Sequence, residues 1–145
     1  QDVGSAEEYT QQASQLASQG AAADVSNQKD WMPLGVFALS PSGQTKSDST
    51  VELAVDAQGI IRGNFTDTKT NKTQQVEGSV DKKTQRAAWT VGDDKNTVYD
   101  TGIYNLTKDE APLLVHIGKD ETQQWLMVRI TQKDKEKSYR TSASE

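Results

Sequence analysis

Cysteine is absent from the 145-residue chain, and histidine occurs once, as His116. The first absence excludes disulfides and thiolate-based structural zinc sites. The second excludes a multi-histidine metal centre and leaves little room for a histidine-based triad. No apolar run approaches the length of a membrane-spanning helix. There is no phosphate-binding glycine loop, no nucleophile elbow and no heptad array. Apolar residues make up 33% of the chain and mean hydropathy is -0.78, so part of the length lies outside any core. That part is at the ends. Residues 1–30 hold six Ala, six Gln and four Ser, residues 131–145 are nearly all polar, and every Trp and Phe falls between them.

A concentrated positive face is missing too. Net charge is -5, with -4 in residues 1–30, +1 in residues 131–145 and hence -2 in the middle. Phosphate backbones need clustered Lys and Arg, which argues against nucleic acid as a partner. Lys82, Lys83 and Arg86 make one small basic cluster, read as a solvated turn.

What the middle of the chain does have is alternation. Val76, Gly78 and Val80 fall at every second position, as do Ala87, Trp89 and Val91 beyond a polar turn. Strands buried on one face have this period because successive side chains leave opposite faces. The same unit recurs around Val36-Phe37-Ala38-Leu39, Val51–Val55, Ile61–Phe65, Val98–Ile103, Leu113–Ile117 and Trp125–Ile130. Pro33 fits a strand start, and the Gly of Asp56-Ala57-Gln58-Gly59 suits a hairpin turn. The prediction is all-β: an antiparallel up-and-down meander of about eight strands, closed or nearly closed into a barrel over residues 31–130. Before it, Ser5-Ala6-Glu7-Glu8 matches a capping box, and Tyr9, Ala13, Leu16 and Ala17 share a helical stripe that Gly20 would end. Such a helix either docks on the barrel or serves as a spacer, with residues 21–30 as linker and 131–145 as a disordered tail.

Four groups of residues are candidates for chemistry. Phe65, Trp89, Tyr99 and Trp125 are the large strand aromatics, suited either to a filled core or to the lining of a ligand cavity. Arg129 depends on register: it is a surface residue if Leu126 and Val128 face inwards. If Trp125 and Met127 do, it is buried and needs an anionic partner. His116 alternates with Val115 and Ile117 and is expected to point to solvent, with Asp100 or Glu52 as a possible carboxylate partner. The acids Asp93, Asp94, Asp120 and Glu121, with Asp67, fall in turns that share one rim and could hold a hard cation, although ordinary turn chemistry is the plainer account of them. Three Asn-x-Thr sequons, at Asn64, Asn71 and Asn105, are short matches in an Asn- and Thr-rich chain.

At Trp31–Leu39, Gly59-Ile60-Ile61-Arg62-Gly63-Asn64, Gly78–Trp89 and Val115-His116-Ile117-Gly118-Lys119-Asp120, the chain resembles a family of secreted proteins from planctomycete-type bacteria. They carry labels such as hypothetical, mu-protocadherin-like or cell-surface protein. The likeness covers residues 31–130 and implies an exported location (periplasm, cell surface or outside) without implying any catalytic residue. The start at Gln1 fits the same expectation. The strand rhythm is also similar to avidin-like and lipocalin-like eight-stranded barrels, with no binding residue carried over. The expected function is a non-enzymatic exported or cell-envelope module that acts through protein or surface contacts and needs no cofactor. The alternative is a calycin-like barrel holding a small molecule, and a carboxylate hydrolase ranks third.

Overall fold

The computed structural model describes residues 6–26, 30–41 and 47–130. Eight antiparallel strands run in sheet order and close into a barrel: β1 (Met32–Ser40), β2 (Ser49–Val55), β3 (Ile60–Asp67), β4 (Thr73–Asp81), β5 (Arg86–Val91), β6 (Asp94–Gly102), β7 (Glu110–Ile117) and β8 (Glu121–Arg129). Closure joins β1 to β8, with Phe37 opposite Arg129 and Leu39 opposite Met127. The all-β meander expected from the alternation is thus a closed barrel. Closure matters physically because it leaves no row of unpaired backbone groups at an edge.

The alternation fixes what fills the interior. Phe37, Leu53, Ile61, Val76, Trp89 and Leu113 belong to a single buried cluster that spans the strands. The turns after β1, β3, β5 and β7 share one end of the barrel, called here the upper end. At the lower end the sequence reading missed an element. Between the Val98–Ile103 and Leu113–Ile117 units a short 3-10 helix, Ile103–Thr107, precedes β7 and inserts Leu106 into the core. β6 begins at Asp94, four residues before the alternation is read from Val98.

Helix α1 (Ala6–Ala22) docks on the outside of β4, β5 and β6, which settles the choice between docking and spacer. Its buried positions are Thr10, Ala13, Ala17 and Gly20, spaced so that they fall on one face. Ala13 and Ala17 pack on the outward-facing Ala88 and Val98, with Leu16 alongside. Tyr9, assigned to the stripe from sequence, lies one turn before Ala13 and is 39% exposed.

Gly20 does not end the helix, which continues to Ala22. It is there for close approach: a Cβ at this position would lie 1.7 Å from the Gly78 carbonyl oxygen. Gly78 is pressed from inside as well, because its own Cβ would fall 2.0 Å from the Ala88 oxygen and 2.7 Å from Trp89 Cα. The last carbonyls of α1 have no partners within the helix. Arg62 on β3 supplies them, donating from Nη1 to Gly20 O at 2.8 Å and from Nη2 to Ala23 O at 3.1 Å, where a cation also complements the helix dipole. Ser79 donates to Leu16 O from beneath. Ser5 of the capping box, residues 27–29 of the linker and the tail 131–145 lie outside the described residues.

In an ordinary helix interior Gly→Ala adds up to about 1 kcal/mol of stability. Here Gly20→Ala is expected to reverse that sign and destabilise by about 1–3 kcal/mol through overpacking. Urea unfolding with hydrogen exchange of the α1 amides measures it, and a stabilised variant with unchanged α1 protection would contradict the close-approach account.

Candidate functional site

The four aromatics proposed for a cavity do meet inside the barrel. Tyr99 is their hub, with its ring centroid 6.1 Å from each of Phe65, Trp89 and Trp125. It stacks on Trp89 at an interplanar angle of 6° and meets Trp125 edge-on at 82°. Phe65 and Trp125 are half-buried towards the upper end, where Trp125 Nε1 donates to Gln123 Oε1 at 2.9 Å. Each ring of the group packs on the Tyr99 ring at ordinary aromatic distances, as in a filled core. One polar atom stands out: Trp89 Nε1 is buried with no hydrogen-bond partner among the described residues.

Arg129 belongs to the other end. Trp125 and Met127 face inwards, so Arg129 does too, but among the described residues it has no anionic partner of the kind expected in that case. Its Nη1 donates to Leu34 O at 3.0 Å, its Nη2 donates to Leu106 O, and its guanidinium lies 4.8 Å over the Phe37 ring. Two backbone carbonyls and a ring face do the work of an acid, and they tie the 3-10 helix to β1. Nothing in the sequence marked Leu34 O and Leu106 O, because backbone acceptors carry no side-chain signature.

The rim acids do not assemble. Among the described residues no three His, Asp or Glu side chains come together to hold a metal ion, so Asp93, Asp94, Asp120 and Glu121 do not form the expected cation site. Their chemistry is local. Asp67 Oδ1 accepts from the Lys69 amide at 2.8 Å, Asp94 Oδ1 from the Asn96 amide at 2.9 Å, and Glu121 Oε2 from Gln123 at 2.7 Å. Short acidic side chains stabilise turns in this way.

The polar constellation lies instead outside the barrel, under α1. His116 does leave the strand on the outward face, but it is only 2% exposed because α1 covers it, which corrects the solvent-facing expectation. Its Nε2 is 2.9 Å from Asp100 Oδ2, realising one of the two carboxylate pairings considered from sequence. Asp100 is 3% exposed, and its Oδ1 accepts from Arg86 Nε at 2.9 Å and Nη2 at 2.6 Å. Arg86 is therefore no member of a solvated basic turn: it opens β5, while Lys82 and Lys83 sit in the turn before it. An ionised carboxylate can only accept, so Nε2 of His116 is the donor in this pair. Nδ1 lies 3.0 Å from Thr122 Oγ1 and 3.3 Å from Thr10 Oγ1 on α1.

Hydroxyl, imidazole and carboxylate in series have the connectivity of an acyl-transfer triad. Two features of the surroundings bear on that chemistry. Arg86 offsets the carboxylate charge that would stabilise an imidazolium, and Thr10 and His116 are both buried at the docked helix. The chain of bonds instead ties α1 to β6, β7 and β8.

Two cavities flank α1. One, of about 290 Å³, is lined by Tyr9, Gln12, Leu16 and Gln19 from the helix and by Asp81, Arg86 and Asp100 from the barrel. The other, of about 520 Å³ and nearer the upper end, is lined by Gln11 and Ser14 together with Lys95, Lys119 and Asp120. The chain matches no protein-family model, no curated protein and no solved structure.

Removing the Asp100 carboxylate leaves Arg86 and His116 without their shared partner. Asp100→Ala is expected to cost about 3 kcal/mol in urea unfolding, whereas Asp120→Ala at the rim should stay within about 0.5 kcal/mol. Equal effects would show that the buried network is energetically idle. Tyr99 gives a second expectation. Burial, and then the nearby Asp94 carboxylate, push its phenol up to about 12. A raised pKa favours the neutral phenol in the fold, so this stabilisation is complete below about pH 10 and is lost as pH rises through the folded value, on the order of 2–3 kcal/mol in all. Tyrosinate absorbance should therefore lag in the wild type relative to Tyr99→Phe, and the wild type alone should lose this increment of stability above pH 10. Identical alkaline profiles for the two would refute it.

Proposed function

We propose that this chain is a non-enzymatic contact module, exported or held at the cell envelope, which acts through protein or surface contacts and not by turning over a substrate. The observation that carries this reading is that inward side chains are engaged with one another or with the backbone. Tyr99 touches three other rings, Leu106 occupies the lower end, and Arg129 is spent on backbone carbonyls. Inward groups engaged in this way leave the outer face as the surface offered for contacts. The candidate relay at His116 is compatible with the same reading, since its imidazole is buried under α1 and its carboxylate is shared with Arg86.

A second reading, a small organic ligand held inside the barrel, draws on one specific observation. The Trp89 indole N–H is a buried donor without a partner among the described residues, and such groups call for an acceptor. Both readings are tested by native mass spectrometry of the protein purified gently from its own host. The contact module predicts a bare monomer mass, or a complex whose added mass is a second polypeptide. Extra mass of a few hundred daltons released on denaturation, and lost in a Trp89→Phe variant of unchanged fold, would overturn it in favour of the ligand.

A further inference from the structure

The smaller cavity beside α1 has a composition that selects among ligands. Its barrel side contains one guanidinium and two carboxylates, from Arg86, Asp100 and Asp81. Arg86 and Asp100 neutralise each other at 2.6 Å, which leaves Asp81 as the uncompensated charge and disfavours anions. Asp81 is itself engaged, its Oδ1 accepting from the amides of Lys83 at 2.9 Å and Thr84 at 3.4 Å. The helix side adds the amides of Gln12 and Gln19, each with both a donor and an acceptor end. Beside them are the partly exposed Tyr9 ring and the apolar groups of Ala13 and Leu16.

A wall that both donates and accepts suits groups that also do both, which are hydroxyls. An apolar strip with an aromatic ring suits the C–H face of a pyranose. A volume of about 290 Å³ has room for one such ring and little more, at the lower limit of the range of about 300–1,000 Å³ for drug-sized pockets. We infer that this seam between α1 and the barrel is a binding site for a single neutral sugar residue, free or at the end of a glycan. Gln12 and Gln19 would read hydroxyls from the helix, and Arg86 would do so from β5. Arg86 can take this role without leaving Asp100, because Nε and Nη2 make that pair and Nη1 has no acceptor among the described residues.

The site lies outside the barrel, so it is independent of what the interior holds and of whether a protein partner exists. It also spans two elements, α1 and the β4–β6 wall. A sugar bound there stabilises the docked helix in proportion to its occupancy.

The test is a titration of the ¹⁵N-labelled full chain with glucose, galactose and N-acetylglucosamine in turn, with glycerol, acetate and ethanolamine as controls at constant ionic strength. At least one sugar should give saturable shifts at Tyr9, Gln12, Gln19 and Arg86 with a millimolar dissociation constant, and should slow exchange of the α1 amides. The double variant Gln12→Ala, Gln19→Ala should weaken that constant about tenfold. Both positions are exposed on the helix, where alanine keeps the fold. The proposal is overturned if none of the three sugars saturates by about 100 mM, well above a millimolar constant. It is equally overturned if acetate or ethanolamine moves the same signals more strongly, or if the shifts map to the barrel ends.

Discussion

The contact of Gly20 with Gly78 is the constraint on which the rest of the exterior depends. A strand backbone is held between a helix on one side and Trp89 on the other, with no Cβ tolerated at either glycine. Only this approach brings the carbonyls of Gly20 and Ala23 within reach of Arg62, Leu16 O within reach of Ser79, and Thr10 within reach of His116. Dispersion falls off steeply with separation, so a methyl group at the contact would weaken the whole seam and not merely one pair.

The barrel was legible in the sequence because period-two alternation is a local signal and short polar turns punctuate it. The inward aromatics followed from the same signal, and Phe65, Trp89, Tyr99 and Trp125 do converge. The 3-10 helix at Ile103–Thr107 was not legible, since five residues without a capping side chain leave no pattern. Gly20 was misread because glycine near a helix end has two physical uses, left-handed termination and close approach, and local sequence cannot separate them. His116 was placed on the correct face of its strand yet given the wrong environment, because what covers an outward residue is a tertiary fact. Arg86 was misplaced for the same reason: its meaning comes from Asp100, fourteen positions away and one strand over.

The buried Arg86–Asp100–His116 chain shows how one arrangement of groups serves different ends in different surroundings. An acyl-transfer triad holds a hydroxyl, an imidazole and a carboxylate in series. Here the carboxylate accepts from a guanidinium as well as an imidazole, and the hydroxyls belong to the covering helix and the neighbouring strand. Such a network specifies where α1 sits more than how tightly it binds, since ion pairs removed from water gain little net energy over apolar packing while tolerating few alternative registers.

The route of the chain also fixes an order of assembly. The surface that receives α1 is contributed by Arg62, Ser79, Ala88, Asp100 and His116, which come from five successive strands. It exists only once those strands are paired, and closure itself waits for Phe37 to meet Arg129 across most of the chain. Contacts that distant in sequence form slowly. The helix thus stands first in the chain while the surface that receives it is made by five strands that come after it.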